Sequence, residues 1–236
     1  MKKYVLLIAL AILFTQAFAQ LEMMQNIFAN TDFEPTYKEG SWAEYSIADK
    51  EGQSSTLKFS VLKGNPDKDE PFVFEMKMTD EEDNWTITQF AGDDPLDRGT
   101  YAYMITQTKG EQARKIPLGE LSGLMKGAEQ EADDDEMEEI PDDLDIQIEE
   151  DILVQVPAGE FETIKVTFTD EEQVSNIWFS DKVGPFGMVK AEQNGEGAAE
   201  LTAYGDKAES EITGKVQEIE MPNLKNLMRM AIPQDN

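Results

Sequence analysis

Apolar residues recur at every second position through most of this chain. Leu57/Phe59/Val61, Phe72/Phe74/Met76/Met78 and Tyr101/Tyr103/Ile105 each place one apolar face on a strand. These sets predict strands over 41–48, 56–63, 72–79, 84–91 and 100–108, all rich in aromatic and β-branched residues. Turn-forming stretches such as KGNPDKDEP, DEED and GDDPLDRG separate them. A second block runs from Asp145 to about Thr213. In it Ile152/Val154/Val156 is expected to pair, through the turn in VPAGEF, with Ile164/Val166/Phe168. Pro157 suits the second turn position and Gly159 the position that closes the turn. Strands over 174–180, 187–193 and 198–204 follow, the last two joined at Asn194-Gly195, a strong hairpin signal. Ten or eleven closely spaced strands with few helices between them predict antiparallel pairing rather than βαβ units.

Helical spacing occurs in three places. Leu21, Met24, Ile27 and Phe28 predict a short amphipathic helix, and Leu224, Leu227, Met228 and Ala231 another that caps or trails the domain. Between the β blocks, Leu118, Leu121, Met125 and Ala128 share one face of a helix predicted over 117–130, with Gly119, Gly123 and Gly127 opposite. Each interior glycine costs about 1 kcal/mol against alanine, so this helix would depend on docking by its Leu/Met face. Next come fourteen acidic residues and no basic one between 129 and 151. That density predicts a self-repelling, extended loop over 129–143.

The first nineteen residues have the form of a signal peptide. Lys2 and Lys3 precede an apolar run from Tyr4 to Phe14, and Ala17-Phe18-Ala19 supplies a small-x-small cleavage site. The competing reading is an uncleaved anchor, for which the run is short of the roughly 20 residues a span needs. No cysteine follows that could carry acyl chains, so a stable membrane anchor is not expected. Residues 20–236 then read as one β-rich domain with the acidic loop inserted.

Composition narrows the chemistry. The formal net charge of −29 repels nucleic acid and anionic membrane surfaces. With neither histidine nor cysteine there is no thiol nucleophile, no Ser-His-Asp triad and no imidazole- or thiolate-bound metal. Carboxylate chemistry remains open. With 49 acidic residues some pair could meet in a cleft, but no spacing singles one out, and Glu75, opposite Phe74 and Met76 on its strand, reads as solvent-facing. Calcium would suit the acidic loop, although no EF-hand spacing is present. The expectation is a protein without catalysis or cofactor.

The unusual load of large apolar side chains on the strands is the remaining lead. Trp42, Tyr45, Phe59, Phe72, Phe74, Met76, Trp85, Tyr101, Tyr103 and Trp178, with Leu118, Leu121 and Met125 of the expected lid, either fill an interior or line a cavity. The segment from VPAGEF through NIWFSDKVGPFGMVKAEQNGEGAAELTAYG resembles a pattern of the LolA/LolB-like periplasmic lipoprotein-carrier superfamily. The shared features are a V-P-A-G-x-F hairpin, a W-x-S-x-x-V-G/P-x-G-x-V-K stretch and a closing L-x-x-Y-G strand; GSWAEYSI, Gly40–Ile47, is similar to the first strand of the same proteins. The likeness covers about a third of the chain, and its motifs are structural. It implies a periplasmic, mainly β protein, a curved antiparallel half-barrel with a helical lid and terminal helices. The partner it implies is a lipid or other hydrophobic small molecule on an apolar concave face. The alternative is a structural or interaction module with a filled core that meets a protein partner, or calcium, through its acidic loop.

Overall fold

The computed structural model describes residues 33, 37–48, 54–65, 70–92, 101–118, 145–170 and 173–219. They contain twelve strands: β1 (Trp42–Ala48), β2 (Ser54–Asn65), β3 (Glu70–Thr79), β4 (Trp85–Gly92), β5 (Tyr103–Thr108), β6 (Arg114–Pro117), β7 (Asp145–Val156), β8 (Gly159–Asp170), β9 (Gln173–Phe179), β10 (Met188–Gln193), β11 (Glu196–Gly205) and β12 (Gln217–Glu218). All lie in one open, curved sheet, ordered β12-β6-β5-β4-β3-β2-β1-β11-β10-β9-β8-β7. The two β blocks are two meanders, β1 to β6 and β7 to β11, and antiparallel pairing of β1 with β11 fuses them.

Turn chemistry accounts for the tight hairpins. Asn194 and Gly195 both take positive φ, 54° and 79°, as the two-residue turn between β10 and β11 requires. Pro157 and Ala158 form the turn between β7 and β8, which pairs Val156 with Gly159, Val154 with Phe161 and Ile152 with Thr163. The expected partners of Ile152, Val154 and Val156 are therefore displaced. Val166 and Phe168 instead face Ile148 and Ile146, because a bulge between Glu149 and Ile152, with Asp151 at φ 58°, intervenes.

Among the described residues there is no helix. The expected helix over 117–130 begins too early: Pro117 ends β6, and the Leu118 N–H donates to the Ala102 carbonyl at 2.9 Å, extending the pairing of β5 and β6. Leu121, Met125, the acidic loop 129–143, both terminal helices and residues 1–19 lie outside the described residues.

Two short segments cover the sheet. Residues 180–187, between β9 and β10, fold over the face that carries Tyr45, Phe59 and Phe74, hereafter the inner face. Phe186 of this loop reaches across to β2 and β3, its ring 5.6 Å from Phe59 and 5.3 Å from Phe74. Residues 206–216 cross the opposite, outer face as a strap and end in β12, parallel to β6.

Candidate functional site

Register decides which side chains share the inner face, since residues directly opposite one another in a ladder point the same way. Tyr45 faces Leu57, Phe59 faces Met76, Val61 faces Phe74, Phe74 faces Phe90, and Phe90 faces Met104. Together they form one apolar tract across five strands. At its centre Phe59 stacks on Phe74, with centroids 5.6 Å apart and planes 22° from parallel. Phe186 meets both edge-on and Tyr37 closes on Phe186 at 5.3 Å, within the preferred range for aromatic pairs. Tyr45 is fully buried; its hydroxyl donates to the Met188 carbonyl at 2.9 Å, and burial pushes its pKa well up. Away from this centre the tract is less covered. Phe72, Phe90, Met104 and Ile116 are half-buried, and Met78 is 38% exposed.

Of the thirteen apolar site residues expected from the sequence, the sheet brings Tyr45, Phe59, Phe72, Phe74 and Met76 onto this face. Tyr101, just before β5, is buried beside them, its ring 5.2 Å from Phe90. Three others, Trp42, Trp85 and Tyr103, stand on the outer face, and Trp178 is buried in the apolar cluster that includes Tyr45, Phe161 and Leu201. Trp42 lies opposite Ser60, Trp85 opposite Thr79, Tyr103 opposite Ala91 and Trp178 opposite Lys165. Each has a lysine ammonium above its ring: Lys58 over Trp42 at 5.0 Å, Lys77 over Trp85 at 5.9 Å, Lys115 over Tyr103 at 3.8 Å, and Lys165 and Lys190 over Trp178 at 6.0 and 5.7 Å. Such contacts let a large aromatic sit on a polar face. Leu118 continues the β6 edge, and Leu121 and Met125 lie outside the described residues.

Glu75 is the largest departure from its sequence reading. It is 2% exposed, not solvent-facing, because the strap lies over it. Gln89 Nε2 donates to its carboxylate at 2.6 Å, and Ser210 Oγ and the Glu211 N–H each donate at 3.2 Å. Burial nevertheless holds its carboxyl above the ordinary value, against those three hydrogen bonds, with the Glu211 charge adding to the rise. Glu211 bridges Lys58 at 2.7 Å and Lys77 at 2.5 Å. Burial alone would raise its carboxyl too, but the hydrogen bonds and charges of the two lysines prevail and hold it low. Further along the strap, Gln107 donates to the Thr213 carbonyl and accepts from its N–H. Among the described residues no group of three or more acidic side chains could hold a metal ion.

The residues that sequence reasoning passed over are Phe33, Tyr37 and Phe186, which cover the inner face. The glycine-proline turn around Phe186 was visible, but the face its ring covers depends on a contact three to five strands away in sheet order. One local sign was available in Gly187: a side chain there would collide with the Phe33 ring, and its φ is 74°.

No protein-family model and no curated protein sequence matches this chain.

Proposed function

We propose that this protein is an exported, periplasmic binding protein without catalytic activity, and that it holds a hydrophobic ligand, a lipid or acylated molecule, against its inner face. The observation that carries this reading is the apolar tract from Tyr45 to Met104, sealed at its centre and left half-covered around Phe72, Phe90 and Met78. An acyl chain laid on those side chains gains about 0.8 kcal/mol per methylene removed from water. The carrier-like motifs support the same reading. Among the described residues the one buried carboxylate, Glu75, is taken up by hydrogen bonds from Gln89 and the strap, so it supports no hydrolytic role. The test is titration of delipidated protein with a fluorescent fatty acid, beside the Met78→Asp variant. Saturable binding that weakens in the variant is expected; absence of saturable binding in the unaltered protein removes the reading.

A second reading has its own observation. Val61 and Phe74 are buried and Phe186 plugs the space above them, so the middle of the face is solid. A packed module that meets a protein partner or cations through the segment 129–143 would show the same centre. It differs in predicting no lipid binding at all.

A further inference from the structure

The half-covered end of the inner face carries a single charge. Across β3 to β6 the facing side chains fall into three rows: Phe74/Phe90/Met104/Ile116, Met76/Thr88/Thr106/Arg114 and Met78/Thr86/Thr108. Arg114 is the only charged residue in these rows, and they hold no carboxylate, in a chain with 49 acidic and 20 basic side chains. Its side chain is exposed and forms no ion pair or hydrogen bond with any described residue. Lys58, Lys77, Lys109, Lys165 and Lys190, by contrast, each hold a carboxylate. Half-buried Ile116 lies two residues further along β6 on the same face, about 7 Å away along the strand, and Met104 lies directly opposite it. This part of the tract runs from Phe90 toward β6, clear of the centre that Phe186 fills over β2 and β3.

We infer that Arg114 receives the carboxylate of a long-chain fatty acid whose apolar chain lies on Ile116, Met104 and Phe90. The inference rests on the lipid-binding reading and names the class of lipid. A guanidinium donates two parallel N–H bonds to a carboxylate, and such charge-assisted pairs are the strong ones. Thr106, directly opposite Arg114, brings a hydroxyl donor to the same row. One guanidinium matches one negative charge, which favours a carboxylate over a phosphate head. The strongly acidic character of the whole chain does not oppose this. Exposed charges are screened over about 8 Å at physiological ionic strength, so a head group at Arg114 responds to the charge on its own rows before the carboxylates of the outer face.

The test measures displacement of the uncharged dye phenylnaphthylamine from delipidated full chain by laurate, dodecanol and dodecyl phosphate, all below their micelle concentrations. Arg114→Gln is compared with Lys207→Gln, which removes the same charge from an exposed site before the strap. Arg114 is exposed, so its replacement leaves the packed centre untouched. Laurate should bind about tenfold tighter than dodecanol, a difference of the size one good charged contact gives. That preference should vanish in Arg114→Gln, with the affinity for dodecanol unchanged, and persist in Lys207→Gln. Equal affinity for laurate and dodecanol, a laurate preference that survives in Arg114→Gln, or one lost equally in both variants overturns the head-group assignment and leaves the binding reading intact. Tighter binding of dodecyl phosphate than of laurate overturns the choice of a carboxylate. No saturable binding of the dye or of any amphiphile overturns both the assignment and the lipid-binding reading.

Discussion

The two faces of the first meander are built from the same strands and reach opposite solutions. On the inner face Tyr45, Phe59, Val61 and Phe74 interlock and are topped by one ring, Phe186, with no salt bridge in the packing. On the outer face Glu75, Gln89 and Gln107 are equally buried, but polar atoms of a crossing strap satisfy them. Apolar burial is non-directional and tolerates a moving cover or an added ligand. A buried polar network is directional, and loses most when a single partner leaves. On the proposed reading the inner face accepts a guest, while the outer one fixes the chain's return to β6.

Substitutions on each face should separate these roles. The largest effect is expected for Phe74→Ala, which removes a fully buried ring and the stacking partner of Phe59. A loss of about 3–5 kcal/mol in unfolding free energy should appear by denaturant titration. A loss below 1 kcal/mol would mean that the inner face is not a packed core. Glu75→Ala comes next, since it leaves the Glu211 N–H without its acceptor and removes one of the two acceptors of Gln89 Nε2, the other being Ser210 Oγ. The expected loss is about 1–3 kcal/mol. Ligand binding should remain, and hydrogen exchange at Glu211 and Thr213 should quicken well before exchange at Phe59. If both regions exchange together, the strap is part of the core and not a separate layer.

The smallest effect is a pH dependence with two limbs. Glu75 has a folded pKa above its ordinary 4.5, so the stability it contributes is present below that value and is lost as pH rises through the folded pKa. Glu211 is shifted the other way. Its contribution is present above 4.5 and is lost as pH falls through its lowered folded pKa. Strap attachment, followed through the fluorescence of Trp42 and Trp85 beside Lys58 and Lys77, should therefore be firmest near 4.5 and weaken on both sides. Glu75→Gln should flatten the alkaline limb and Glu211→Gln the acid limb. The reverse assignment of limbs would contradict the electrostatic description of the strap.

What the sequence made legible was local. Alternation in Phe72/Phe74/Met76/Met78 reads correctly as one face because the strand period is two, and Asn194-Gly195 marks its hairpin because the turn demands two positive φ values. Alternation cannot say which set of side chains another segment will cover. Trp42, Trp85 and Tyr103 look like core from their size, yet each occupies the outer face beneath a lysine. Glu75 looks solvated from its charge, yet the strap that buries it lies about 135 residues further along. The register slip between β7 and β8 was equally hidden, because a bulge at Asp151 follows from no turn residue in DIQIEEDILVQV. Of the candidate site, the central aromatic tract was therefore readable, while its cover came from contacts remote in sequence.

The most direct measurement is native mass spectrometry of the full chain isolated from the envelope of an exporting cell, without detergent or organic solvent. The predicted result is a protein species carrying a lipid-sized adduct that dissociates on collisional activation and is reduced in Met78→Asp. A spectrum containing only the bare protein mass, from material that also fails to bind a fluorescent fatty acid after delipidation, would contradict the inner face as a ligand site.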